Sequence, residues 1–116
     1  MTAISFYRYE LVDEVMTLTL SEKPEEEGFT VHFMHATWED DEHTHEVANG
    51  SDDSAETAVT AWSIADRVLS VTFEPEAAEE LGFDEDLELE LELPDAGIAE
   101  VRRRLTEILV DVPESR

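Results

Sequence analysis

The stretch DLELELEL, residues 86–93, alternates leucine with acidic residues without interruption. Because successive side chains of a β-strand point to opposite faces, the pattern predicts a strand with buried leucines and solvated glutamates. Neighbouring glutamates about 7 Å apart repel by roughly 0.6 kcal/mol in water before screening. Burying each leucine contributes about 1.5–3 kcal/mol, which outweighs that repulsion. The predicted buried residues are Leu87, Leu89, Leu91 and Leu93, and the solvated ones are Glu88, Glu90 and Glu92.

Shorter alternating patterns predict further strands. They cover residues 4–12, 15–20 and 29–37, and then a hairpin over residues 57–73 with its turn at 65–67. The first two strands are expected to pair through a turn at Asp13-Glu14. The strands do not alternate with helices, which favours a mostly antiparallel sheet.

Two helices are predicted after these strands. Pro75 suits a first helical position, and Gly82 suits a left-handed helix stop with Phe83 packing back on Ala78. The C-terminal stripe comprises Ile98, Val101, Leu105, Ile108 and Leu109, with outer i,i+4 pairs Glu100–Arg104 and Arg103–Glu107 and a helix-stabilising cluster Arg102-Arg103-Arg104.

These elements predict an α+β fold, with a mostly antiparallel sheet, a short helix and a C-terminal helix packed on one face. We expect one domain over residues 1–112, with an acidic irregular segment at 38–56 and a C-terminal tail at 113–116. The residues expected to be buried together are Leu87, Leu89, Leu91, Val71, Phe73, Leu105 and Leu109.

Charge restricts the classes of partner. The chain has 31 acidic and 7 basic residues, a net charge of −24. Nucleic acids and anionic membranes would be repelled, since binding to phosphate requires cations. The acidity is compatible with solubility or salt adaptation, attraction to a basic protein partner, or mimicry of a nucleic acid's phosphates. No run of about 18 apolar residues and no signal sequence is present, so we expect a cytoplasmic protein.

The acidic segment at residues 38–56 is the longest stretch without apolar periodicity, and long loops of this kind are often functional. It begins with WEDDEHTHE and contains the turn dipeptide Asn49-Gly50. Trp38 could anchor a partner there. The predicted partner-binding residues are Trp38, Glu39, Asp40, Asp41, Glu42, Asp52 and Asp53, although a merely solvated loop explains the same composition.

The sequence does not favour catalysis, a metal or a cofactor. There is no cysteine, no glycine-flanked serine elbow and no glycine-rich phosphate loop. His32 and His35, three residues apart on a strand, point to opposite faces. His43 and His45 could share a side, but the spacing typical of zinc sites is missing, so we interpret them as solvated loop histidines.

The stretch RVLSVTFEPEAAEELGFDEDLELELELPDAGIAEVRRRLTEIL, residues 67–109, resembles the Immunity protein 10 family of bacterial polymorphic toxin systems. The resemblance lies in a strand leading into a Pro-Glu-Ala-Ala helix, then Leu81-Gly82, an alternating strand and a C-terminal helix. It implies a cytoplasmic protein, without catalytic activity, that binds and neutralises a cognate toxin. The alternatives are an acidic nucleic-acid mimic that inhibits a nuclease and a housekeeping domain of a salt-adapted cell. The pattern makes no prediction about oligomeric state.

Overall fold

The chain folds into two β-sheets and two helices in a computed structural model. The structure describes residues 2–24, 28–36, 45–51, 53–110 and 112–115. In chain order the elements are β1 (Thr2–Ile4), β2 (Phe6–Val12), β3 (Val15–Ser21), β4 (Thr30–Ala36), β5 (Glu46–Asn49), β6 (Ser54–Glu56), β7 (Val59–Ala65), β8 (Val68–Phe73), α1 (Pro75–Leu81), β9 (Asp86–Leu91) and α2 (Asp95–Ile108). Within these described residues, neither helix is long and apolar enough to cross a membrane.

The strands divide into two separate sheets. Sheet I has the order β1-β9-β8-β7, and sheet II has the order β2-β3-β4-β5-β6. Strands β1 and β9 run parallel, whereas the other paired strands run antiparallel. The predicted α+β class with mostly antiparallel strands is therefore confirmed, although the strands divide between two sheets.

The two sheets are joined where an edge strand of one continues into an edge strand of the other. Ser5 separates β1 from β2, and residues 57–58 separate β6 from β7. The prediction of one strand over residues 4–12 is therefore wrong at Ser5. Ile4 pairs with Leu91 in sheet I, whereas Phe6 pairs with Ser21 in sheet II. Because the partner strand of β1 lies far along the chain, the local alternation of residues 4–12 does not reveal the break at Ser5.

The alternation of β9 is confirmed. Leu89 and Leu91 are fully buried, and Leu87 and Leu93 nearly so. The three intervening glutamates are exposed. The leucines belong to one hydrophobic core with the other residues predicted to share it, Val71, Phe73, Leu105 and Leu109.

Local turn chemistry also follows the sequence. Asp13 and Glu14 both have positive φ, as do Asp66 and Arg67, so each pair forms the two-residue turn that suits the twist of a hairpin. Helix α1 begins at Pro75 and stops at Gly82, whose φ is 71°. The amide of Phe83 donates to the carbonyl of Ala78 at 2.9 Å, the six-to-one hydrogen bond of a Schellman motif.

Helix α2 buries the predicted apolar stripe, with Ile98 only partly covered. On its polar side Arg104 pairs with Glu100 at 2.9 Å, as predicted. The other ion pairs differ from the prediction, because Arg103 binds Glu100 and Glu107 binds Arg104. Arg103 and Glu107 therefore each bind a residue of the Glu100–Arg104 pair, instead of forming their own i,i+4 pair.

Residues 112–115 lie along β7. The indole Nε1 of Trp62 donates to the carbonyl of Val112 at 2.6 Å, and the amide of Ser115 donates to the carbonyl of Trp62 at 2.7 Å. Arg102 contacts the Glu114 carboxylate at 3.2 Å and donates to the carbonyl of Ile64 at 2.9 Å. Arg102 therefore fixes this segment to the edge of sheet I, instead of only stabilising its own helix.

Candidate partner-binding surface

Part of the predicted partner-binding segment is described. Asp53 lies at the turn between β5 and β6 and is exposed. The other predicted site residues lie outside the described residues, namely Trp38, Glu39, Asp40, Asp41, Glu42 and Asp52. Their role in partner binding stays a prediction.

The expectation that residues 38–56 are irregular is wrong for Glu46–Asn49 and Ser54–Glu56, which form β5 and β6. These strands are short, and each buries a single residue, Val47 in β5 and Ala55 in β6. Both pair within sheet II, where Phe33 aligns with Val47. One buried apolar residue per strand is too few to produce a visible alternation.

His45 was predicted to be a solvated loop histidine, and this is wrong. Its side chain is 1% exposed. The backbone amide of Val59 donates to its Nε2 at 3.0 Å, and the amide of Thr57 donates to its backbone carbonyl at 2.7 Å. The ring therefore ties the start of β5 to the start of β7, and so links the two sheets where β6 continues into β7.

The geometry of His45 also bears on metal binding. Its Nε2 already accepts a backbone hydrogen bond, so that nitrogen is not available to bind a metal ion. His43 lies outside the described residues. Within the ranges that the structure describes, no group of three potential ligands is placed to hold a metal ion. His32 faces away from His35 on β4 and shares a 2.8 Å hydrogen bond with Thr19.

Asn49 organises the turn that carries Asp53. Its Oδ1 accepts hydrogen bonds from the amides of Ser51 at 2.8 Å and Asp53 at 3.1 Å, the local bonding that makes asparagine a turn residue. Its Nδ2 donates to the carbonyl of Leu81 at 2.8 Å, at the end of α1. The acidic turn is thereby fixed to the helix beside it.

Between β6 and α1 lies an open cleft of 490 Å³. Its lining comprises Ala55, Glu56, Thr57, Glu74, Pro75, Glu76, Ala77 and Glu80. Four of these eight residues are glutamates and none is basic. Such a concentration of carboxylates produces a local negative potential, which favours cationic over anionic groups.

Sequence reasoning missed this cleft. Glu56 and the glutamates of α1 are about twenty positions apart, and each occurs in a chain where acids are common. They converge because Asn49 and the β6–β7 connection place the hairpin of β5 and β6 against α1. The amide of Glu74 donates to the carbonyl of Ala58 at 2.9 Å, which holds the start of α1 at the same place.

The basic residues of α2 are already engaged elsewhere. The Arg104 guanidinium lies 3.8 Å from the centre of the Tyr9 ring and binds Glu100 and Glu107. Desolvation opposes the charged form, but hydrogen bonding and attraction to Glu100 prevail and raise the pKa of Arg104 above its ordinary value. These cations stabilise the fold and do not neutralise the cleft.

Comparison with known proteins gives one family. The model of the family described as Immunity protein 10 matches residues 2–99 of the 116 in the chain. The match extends through both sheets and into α2, and it includes the hairpin and the cleft. No curated protein and no solved structure matches the chain. The chain belongs to the Immunity protein 10 family.

Proposed function

We propose that this protein neutralises a cognate bacterial toxin of a polymorphic toxin system by binding to it in the cytoplasm, without catalysing a reaction. The observation that carries the proposal is the family match over residues 2–99. A protein of this kind acts by occluding or distorting its target, so it requires a rigid body with a specific surface rather than an active site.

The proposed toxin is basic. With a net charge of −24, the protein attracts a cationic partner over distances beyond direct contact. Electrostatic steering of this kind raises association rates by roughly 10–10³ and weakens as salt increases. Fast association suits an inhibitor that must capture its toxin before the toxin acts.

The proposed contact surface combines the predicted acidic segment with the cleft. Asp53 lies on the turn that Asn49 fixes to the end of α1, and the glutamates of the cleft lie along β6 and α1. Cationic side chains of the toxin would enter the cleft. Trp38 is proposed as an apolar anchor, because aromatic residues at the centre of an interface contribute most to affinity.

Neutralisation is tested by co-expressing the toxin domain encoded beside this protein's gene. We expect growth to be restored and the two chains to co-purify as a complex. Failure to bind or protect against the neighbouring toxin would contradict the proposed function. Binding kinetics at two salt concentrations then test the surface.

Two pairs of substitutions provide a matched comparison. Glu76→Gln/Glu80→Gln removes two exposed charges from the cleft, and Glu88→Gln/Glu90→Gln removes two from the outer face of β9. We expect the cleft pair to slow association and reduce its salt dependence more than the β9 pair. Equal effects would mean that total charge, and not the cleft, attracts the toxin.

The predicted segment is tested in the same assay. Asp40→Asn/Asp41→Asn should slow association, whereas Trp38→Ala should accelerate dissociation, since rim charges and buried anchors act on different rates. Parental binding by both variants at both salt concentrations would remove residues 38–42 from the proposed surface.

A nucleic-acid mimic is the second candidate, because Glu88 and Glu90 on β9 and Glu92 directly after it are exposed in a row. Residues two apart on a strand are about 7 Å apart, so the three carboxylates form a regularly spaced anionic row. A mimic would inhibit unrelated nucleases, and Glu88→Gln/Glu90→Gln would abolish that inhibition. Specific inhibition of the cognate toxin alone favours the immunity function.

A further inference from the structure

Strand β2 differs from the rest of the surface because it exposes apolar side chains along a sheet edge. It is the first strand of sheet II, and no described strand pairs with its other side. Among the described residues, the large exposed apolar side chains are Phe6, Tyr7, Leu11, Val12 and Val110, of which four belong to β2. An edge strand of this composition is a template for pairing with another strand.

The geometry of the β2–β3 hairpin determines which backbone amides and carbonyls of β2 point to its open edge. In the two-residue turn at Asp13-Glu14, Val12 and Val15 form the closing hydrogen-bonded pair. Hydrogen-bonded and non-bonded pairs alternate along antiparallel strands. The amides and carbonyls of Tyr7, Tyr9 and Leu11 therefore point to the open edge of β2.

The sequence of β2 is complementary to itself. If two copies pair antiparallel about Tyr9, Tyr7 of one copy lies opposite Leu11 of the second. Phe6 likewise lies opposite Val12, and Arg8 lies opposite Glu10. All outward amides and carbonyls are then paired, apolar residues face apolar residues, and each Arg8 faces a carboxylate of the second copy.

Neighbouring registers are worse. Moving one copy by two residues preserves the hydrogen-bond direction but places Arg8 opposite Arg8, or Glu10 opposite Glu10. Like charges directly across a sheet are destabilising, whereas opposite charges stabilise. Within one chain Arg8 and Glu10 lie 3.0 Å apart, so both side chains lie on the same exposed face of sheet II, which the second copy would extend.

We propose that the protein forms a two-fold symmetric homodimer by antiparallel pairing of β2 with β2, centred on Tyr9. The contact is isologous, as expected of a dimer. On the helix side Tyr9 is held beneath Arg104, so the strand is ordered before it pairs. A single strand pair buries less than a standard interface, which predicts a weak dimer with a dissociation constant in the roughly micromolar range.

The test is sedimentation equilibrium of the full chain over a range of concentrations. Salt of about 0.3 M reduces the repulsion between two chains of net charge −24. We expect a reversible monomer–dimer equilibrium. A chain that stays monomeric up to roughly 1 mM, well above the micromolar constant expected for a contact of this size, would overturn the proposal.

A charge exchange tests the register. Arg8→Glu makes both cross-strand pairs repulsive and should raise the dissociation constant roughly tenfold or more. Arg8→Glu/Glu10→Arg restores opposite charges at both positions and should restore the dimer. Both residues are exposed, and circular dichroism will verify that the variants remain folded. A dimer that Arg8→Glu leaves unchanged, or that the double variant fails to restore, would contradict β2 pairing.

Discussion

Strand β9 and the hairpin of β5 and β6 reach the same core by different means. Strand β9 inserts Leu87, Leu89 and Leu91, and every second side chain contributes to its burial. The hairpin inserts only Val47 and Ala55 and depends on polar side chains at its ends. Hydrophobic burial is non-directional and periodic, whereas polar anchoring depends on individual partners that are distant in sequence.

The largest expected effect is at β9. Leu89 is fully buried, so Leu89→Ala should lower the free energy of unfolding by about 2–5 kcal/mol through lost core contacts and the cavity that remains. The matched control is Glu90→Ala on the exposed face of the same strand, which should be nearly neutral. Urea unfolding measures both, and equal midpoints would contradict the facing of β9.

This contrast explains what could be predicted from the sequence. The facing of β9, the turn at Asp66-Arg67 and the stop of α1 at Gly82 each depend on residues that are adjacent or nearly so. Local patterns therefore identified both helices, most of the longer strands and many of the core residues, but not the division of the strands between two sheets. The prediction failed where a structure depends on partners that are distant along the chain.

The bend at Ser5 is one such failure, because the parallel partner of β1 is β9. The buried His45 is another, since neither its neighbours nor its spacing indicate that it accepts a hydrogen bond from Val59. The cleft also escaped prediction. Its glutamates are brought together by the tether from Asn49 to α1, and in a chain of 31 acidic residues no single pair of acids is distinctive.

The next largest effect tests the polar anchor of the hairpin. His45→Ala leaves the buried amide of Val59 without its acceptor, which should cost about 1–3 kcal/mol, and loss of the ring's packing adds to this. His45→Gln offers a side-chain carbonyl at a similar reach and should recover part of the loss. Thermal and urea unfolding provide the measurement, and an unchanged stability for His45→Ala would refute the anchoring role.

A smaller effect is expected at the other end of the hairpin. Asn49→Ala should reduce stability by about 1 kcal/mol, because the turn amides it binds are exposed and can bind water instead. Asn49→Asp keeps the acceptor for those amides but cannot donate to the carbonyl of Leu81. If Asn49→Asp is as unstable as Asn49→Ala, the tether to α1 dominates. Stability equal to the parent for both would contradict the role of Asn49.

The smallest effect concerns the exposed face of β9, where charge and burial can be separated. Glu88 and Glu90 lie two residues apart, so Glu90→Gln should stabilise the fold by roughly 0.2–0.5 kcal/mol at low salt by relieving their repulsion. The Debye length falls from about 10 Å at 0.1 M salt to 3 Å at 1 M, so the gain should disappear as salt is added. Urea unfolding of the parent and Glu90→Gln at both salt concentrations measures this. A gain that persists at high salt would mean that strand propensity or a specific contact of Glu90, and not repulsion between like charges, limits stability on this face.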